Sequence, residues 1–263
     1  MKKKIKEFLV YIFCFKKNIF KEPIIRRILC LHDVKDRSLF EEKILFLRSQ
    51  FKFVTLEEII YSNDNNLLSL TFDDGYKNWM YNVLPVLEKY KIPATFFVCS
   101  VFLGLKGNEL KKFLKKNLKR TQYLEPLSID DLREIAKNPL FEVGGHTVSH
   151  INMGINDYEV LKKEVLKDKL KLENITGKKI KFFAYPFGTP FHISDTAKKV
   201  VKEAGYHYAF TLIPGNVNKN NYFYILRNGI LLEEDNKYIL CCLNGAYDKI
   251  YKFRMKLLSI LNF

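Results

Sequence analysis

The chain has 263 residues, 48% of them hydrophobic and 14% aromatic, which supplies a large core and excludes disordered, collagen-like and linker-like proteins. No apolar run reaches the roughly 18 residues a membrane-spanning helix needs. The net charge of +15 is concentrated in residues 1–27, 106–120 and 249–263, a distribution that argues against a nucleic-acid footprint on the folded body.

In chain order, residues 1–27 form a basic N-terminal segment in which Phe8, Ile12 and Phe15 would share one helical face, suited either to an anionic membrane surface or to packing on the domain. Ile28–Leu31 reads as a strand, Ser38 with Glu41 as a capping box opening a helix to about Phe51, and Thr55 with Glu58 as a second such box. Leu67–Phe72 is a buried strand ending at Asp73-Asp74-Gly75, followed by a helix to about Tyr90 and a strand at Ala94–Val98. The lysine-rich span 104–125 reads as an inserted excursion. Ser128 with Asp131 caps another helix, and Phe141–Val143 is a strand running into Gly144-Gly145-His146. A long helix over 157–175 stops at Gly177, and Phe182–Tyr185 is a strand ending in Pro186-Phe187-Gly188. A helix from Ser194 to Ala204 and strands at Tyr208–Thr211 and Tyr222–Leu226 follow, then a helical extension over 233–263 whose end is again basic and apolar. Alternating strands and helices over 28–232 predict a single α/β barrel domain, distorted, of about seven strands. The cysteines at 14, 30, 99, 241 and 242 lack CxxC spacing and read as small buried hydrophobes in a reducing compartment.

In parallel α/β proteins the reactive groups collect at the carboxyl ends of the strands. His32-Asp33, Asp73-Asp74, His146 with His150, and Tyr185-Pro186-Phe187-Gly188 all fall there. Alone, Asp73-Asp74-Gly75 is equally an N-cap with a first-turn acid, and HxxxH is a common coincidence; on a helical turn, though, its two imidazoles would lie close enough to grip one ion. Two histidines and a carboxylate together make the three-ligand, open site expected of catalytic zinc.

The blocks Leu70-Thr-Phe-Asp-Asp-Gly75, Pro93-Ala-Thr-Phe-Phe-Val98, Gly145-His-Thr-Val-Ser-His150 and Phe183-Ala-Tyr-Pro-Phe-Gly188, in this order, resemble the polysaccharide deacetylase family with its NodB-type barrel, over about residues 28–232. The resemblance implies metal-dependent hydrolysis of acetamido groups on a glycan or lipid-linked saccharide. It implies Asp74, His146 and His150 as ligands of Zn²⁺, with Co²⁺ or Ni²⁺ also suited to the donor set, Asp73 as general base, and the Phe187 backbone N–H as oxyanion donor.

Ala184 stands where the family usually has an arginine that orients the base, and the late Leu-x-His block that supplies the acid is missing. These departures match an exopolysaccharide deacetylase branch with Ala-Tyr-Pro at this point, which implies His32 as general acid. Asp33 reads as a turn acid or as an orienter of His32, Arg227 as a surface arginine or as the replacement for the missing one, and His192 and His207 as structural. An O-acetyl esterase or deformylase, and an inactive glycan- or membrane-binding protein, are the competing functions. The two basic ends suit peripheral contact with an anionic membrane as well as packing on the domain, and the location stays open between cytoplasm and cell envelope.

Overall fold

The computed structural model describes residues 10–12, 25–217 and 220–260. Phe8 and Phe15, which were to form the apolar face of the N-terminal segment with Ile12, lie outside these. Val10 is buried against Tyr238, Cys241, Cys242 and Ala246.

Among the described residues, eight strands form one sheet in the order β7-β6-β5-β4-β3-β1-β8, and β2 pairs with the start of β3. They are β1 (Arg26–Leu31), β2 (Lys52–Phe53), β3 (Leu67–Asp74), β4 (Ala94–Val98), β5 (Phe141–Gly145), β6 (Phe182–Ala184), β7 (Tyr208–Phe210) and β8 (Asn228–Gly229). Every pairing is parallel, and the sheet curls into the distorted barrel that the sequence predicts. All eight residues of β3 are buried, as expected of a strand covered on both faces. Strand alternation sorts the core into two layers. Ile28, Phe97, Phe182 and Phe210 fill the interior, while Leu29, Leu31, Leu70 and Phe72 pack outward against the helices.

Closure depends on residues 222–229. The expected strand at Tyr222–Leu226 is reduced to one parallel bridge, Phe210 to Ile225, and the chain then pairs with the opposite edge through β8, Leu29 facing Asn228 and Cys30 facing Gly229. A single passing segment therefore joins the two edges of the sheet.

The helices are α1 (Arg37–Gln50), α2 (Leu56–Tyr61), α3 (Trp79–Asn82), α4 (Leu84–Tyr90), α5 (Gly107–Lys116), α6 (Ile129–Lys137), α7 (Tyr158–Thr176), α8 (Asp195–Glu203), α9 (Asn236–Leu243) and α10 (Ala246–Ile260). Both reciprocal capping boxes, Thr55/Glu58 and Ser128/Asp131, are formed. The third is not: Asp36 caps α1, its carboxylate accepting from the Leu39 N–H at 3.0 Å, so the helix starts ahead of Ser38. The single helix expected after Asp74 is two, since Pro85 sits in the first turn of α4, where its missing N–H favours a fresh start over continuation. The span 104–125, expected as an excursion, carries α5, which buries Leu110, Phe113 and Leu114 with Phe113 stacked on Phe102. Cys241 is disulfide-bonded, and the thiols of Cys30, Cys99 and Cys242 are buried. No helix among the described residues is long and apolar enough to cross a membrane.

Candidate active site

β3 ends at Asp73 and Asp74, opposite Phe97 and Val98 of β4. In a regular strand, neighbouring side chains point to opposite faces. Asp74 has φ 87°, which turns it back so that both carboxylates line one cavity of about 430 Å³ with His32, His146, His150 and Phe187. Four of the seven non-glycine residues with positive φ among those described are Asp74, Thr147, His150 and Phe187. Such conformations cost about 1–3 kcal/mol each and gather where function over-determines the backbone.

His146 and His150 do not share a helical turn. They sit on the loop after β5, reversed at Thr147 (φ 65°) and His150 (φ 56°), with ring centroids 5.0 Å apart. The His146 Nδ1–H donates to the Ala184 carbonyl (2.7 Å) and the His150 Nδ1–H to the Asn117 carbonyl (3.1 Å). A carbonyl only accepts, so the Nε2 atoms keep their lone pairs. Both Nε2 atoms lie 3.6 Å from Asp74 Oδ1, an oxygen that is buried with no hydrogen-bond partner. Asp74 Oδ2 accepts from the Tyr76 hydroxyl at 2.6 Å.

An orphaned carboxylate oxygen between two inward lone pairs is costly unless a cation joins them, so these residues fit a divalent metal ion. The buried imidazoles and carboxylates shift one another in different directions. Burial lowers the His150 value to about 4, keeping it neutral. For His146 burial opposes the charge, but Asp74 and Asp73 outweigh it and raise the value. For Asp74 burial raises the value, and the surrounding imidazoles win, holding it far below the usual carboxylate range.

Asp73 points into the barrel and meets Arg227, whose Nη1 and Nη2 donate to Oδ1 and Oδ2, both at 2.7 Å. Arg227 is therefore no surface arginine. It is fully buried, its Nε–H donates to the Thr211 carbonyl (2.8 Å), and it lies over the Phe97 ring. It supplies Asp73 with the guanidinium that the resemblance leads one to expect at position 184, where Ala184 stands. The Cys30 thiol donates to Asp73 Oδ2 at 3.2 Å, its own ionisation suppressed by burial. Of the roughly four lone-pair sites on a carboxylate, Arg227 takes two and Cys30 one, leaving one on Oδ1. Burial pushes the Asp73 value up, but Arg227 and His146 outweigh it and keep the group ionised.

A ring nitrogen of His32 lies within 4.8 Å of Asp73 and Cys30 donor atoms, and the loop that carries it is pinned by the Trp79 indole N–H donating to the His32 carbonyl at 2.7 Å. Asp33 does not orient that ring; its carboxylate faces Lys35 and Arg120 at 3.8 and 4.0 Å. The Phe187 N–H has no acceptor among the described residues, and its ring packs edge-on to His150. A Cβ on Gly188 would collide with the Leu212 backbone, so only glycine permits this turn. His192, read as structural, lines the cavity with Leu118, Lys119 and Arg120. The lysine-rich composition of 104–125 hid these last three. Nothing marks His207 as part of the site.

Two imidazoles, an orphaned carboxylate and a second, clamped carboxylate at the open end of a parallel barrel define a hydrolase-type centre. A family profile for polysaccharide deacetylase matches residues 61–209. The poly-beta-1,6-N-acetyl-D-glucosamine N-deacetylase of Staphylococcus aureus strain MRSA252 is 32% identical over 214 residues, covering 76% of this chain and 68% of that protein. The chain belongs to the polysaccharide deacetylase family. The fold is also that of IcaB from Ammonifex degensii (TM-score 0.66, 21% identity, 83% of this chain and 96% of that one) and of the Streptococcus pyogenes deacetylase PplD (TM-score 0.67, 20% identity, 84% and 99%).

Proposed function

We propose that this protein is a metal-dependent N-deacetylase of an N-acetylated amino-sugar polymer in the cell envelope. The observation that carries the reading is the orphaned Asp74 Oδ1 between two Nε2 lone pairs, beside an ionised Asp73 with one lone pair to spare. The name of the Staphylococcus aureus relatives supports the substrate class.

Asp74, His146 and His150 would hold the ion, Zn²⁺ being favoured and Co²⁺ or Ni²⁺ compatible. Such an ion supplies Lewis acidity, polarising the acyl carbonyl and acidifying a water. Asp73, aimed by Arg227 and the Cys30 thiol, accepts the proton of the attacking water at Oδ1. The Phe187 N–H, unengaged and held by the strained turn, donates to the oxyanion. His32, on the Asp73 side of the cavity, delivers a proton to the departing amine. The exposed Phe253 and Leu257 on α10, flanked by Lys252, Arg254 and Lys256, suit peripheral contact with an anionic membrane.

Acyl release measured on matched N-acetyl, O-acetyl and formyl glycans with metal present tests the reading. We expect acetate from the N-acetyl substrate, abolished by chelator. Asp73→Asn should retain the metal and lose about 10²–10⁴-fold in turnover, the usual worth of general-base catalysis, and His32→Asn should lose turnover with metal retained. Release from the ester or formyl substrate alone would replace the reading with the corresponding hydrolase, and an Asp73→Asn protein of full activity would end it.

A further inference from the structure

We propose that Asn117, which ends α5 in the lysine-rich span, is the positioning residue that holds His150 as a metal ligand, so that this excursion from the barrel sets how tightly the ion is kept. This rests on the metal-dependent reading above. The contact is reciprocal. The His150 Nδ1–H donates to the Asn117 carbonyl at 3.1 Å, and the Asn117 Nδ2–H donates to the Ser149 carbonyl at 2.7 Å. One residue thus steadies both the ring and the backbone beside it, leaving Nε2 to face Asp74 Oδ1. His146 is oriented differently, by the Ala184 carbonyl of β6. Of the two imidazoles, the barrel aims one and the excursion aims the other.

The acceptor follows from the helix end. The last carbonyls of a helix lack intrahelical donors, and the negative end of its dipole favours a polarised N–H. A carbonyl on the far nitrogen also raises the basicity of an imidazole toward a metal. The end of α5 is itself fixed, because Leu110, Phe113 and Leu114 are buried and the Asn117 N–H donates to the Phe113 carbonyl at 2.8 Å. From the opposite side, Glu164 of α7 accepts from the Ser149 N–H and hydroxyl, both at 2.9 Å. Ser149 is therefore held through its N–H, its hydroxyl and its carbonyl, and the last of these holds is made by Asn117. His150 follows directly, with φ 56°, a conformation that persists where the surroundings impose it. Replacing the Asn117 side chain leaves its own carbonyl in the chain but cuts the tether that keeps it beside the ring.

The test is the Zn²⁺ affinity of the full chain, measured by competition with a chromophoric chelator, for the wild type, Asn117→Ala, the isosteric Asn117→Asp, and Asp131→Ala as a protein destabilised away from this loop. We expect both Asn117 variants to bind Zn²⁺ about 10–100-fold more weakly, the usual effect of removing a partner that orients a metal ligand. Their acetate release should half-saturate at correspondingly higher Zn²⁺, and Asp131→Ala should bind the ion as the wild type does. Asn117 variants with wild-type Zn²⁺ affinity, or an Asp131→Ala protein that loses as much affinity as they do, would overturn the proposal. A wild type that binds no Zn²⁺ would instead bring down the metal-dependent reading, and this inference with it.

Discussion

Asp73 and Asp74 are adjacent and chemically identical, yet one is clamped by a guanidinium and the other surrounded by imidazoles with an oxygen left bare. The difference comes from strand alternation and one positive φ. Most of the site residues were legible because each lies in a short block at a strand end. Arg227 stayed open between a surface arginine and the replacement for the missing one, because its partner is 154 positions away and nothing local distinguishes a buried arginine from a surface one. Its removal gives a sharp outcome. Asp73 stabilises the fold while ionised, a contribution present above the usual carboxylate range and lost as pH falls through its lowered value. In Arg227→Met, burial prevails and the Asp73 value rises. The acid limb of the pH–rate profile should move to higher pH, and denaturant unfolding should show a loss of about 3–5 kcal/mol, as when one partner of a buried pair is removed. An unmoved acid limb would show that Arg227 does not set the state of Asp73 or that Asp73 is not the base.

At the scale of elements, helix caps were the most readable feature because their physics is local. Ser128 and Asp131 start α6 reciprocally, at 2.8 and 3.1 Å, and Lys77 adds two contacts of 2.7 Å to the same carboxylate. Burial raises the Asp131 value, but Lys77 and Ser128 outweigh it, so the stabilisation is present above the usual carboxylate range and fades as pH falls below it. Asp131→Ala should cost about 1–2 kcal/mol at neutral pH by urea unfolding, and less near pH 3; an equal cost at both pH values would count against the ionic part. The HxxxH spacing misled, since i,i+4 suits a helix and the loop reaches the same convergence through positive φ. Beneath that loop, α7 presents the buried Asp168, which accepts from the Ser100 and His146 N–H groups, both at 3.0 Å. Asp168→Leu leaves two buried donors unpaired, at about 1–3 kcal/mol each, and should lower the unfolding midpoint accordingly.

For the whole molecule, alternation of strand and helix predicted the barrel, because a parallel sheet has few ways to be covered. The closure was not legible: the bridge at Ile225 and the two residues of β8 are too short to register as periodicity. An ion that joins residues from the ends of β3 and β5 should stabilise the folded state against the unfolded one. At a free concentration of 100 Kd the gain is about 2.7 kcal/mol, or roughly 5–10 °C in Tm for a chain of this size. Thermal unfolding with and without chelator measures it, and Asp74→Asn should erase the difference; a Tm indifferent to metal would count against the site. Protons compete with the ion at His146, whose value is raised, so the shift should shrink as pH falls.

The segment that completes the ring also carries the guanidinium that grips Asp73. During synthesis from the N-terminus, Asp74, His146 and His150 emerge well before residues 222–229. A chain ending before residue 222 would hold all three proposed ligands yet lack both the last pairing of the sheet and the guanidinium that holds Asp73.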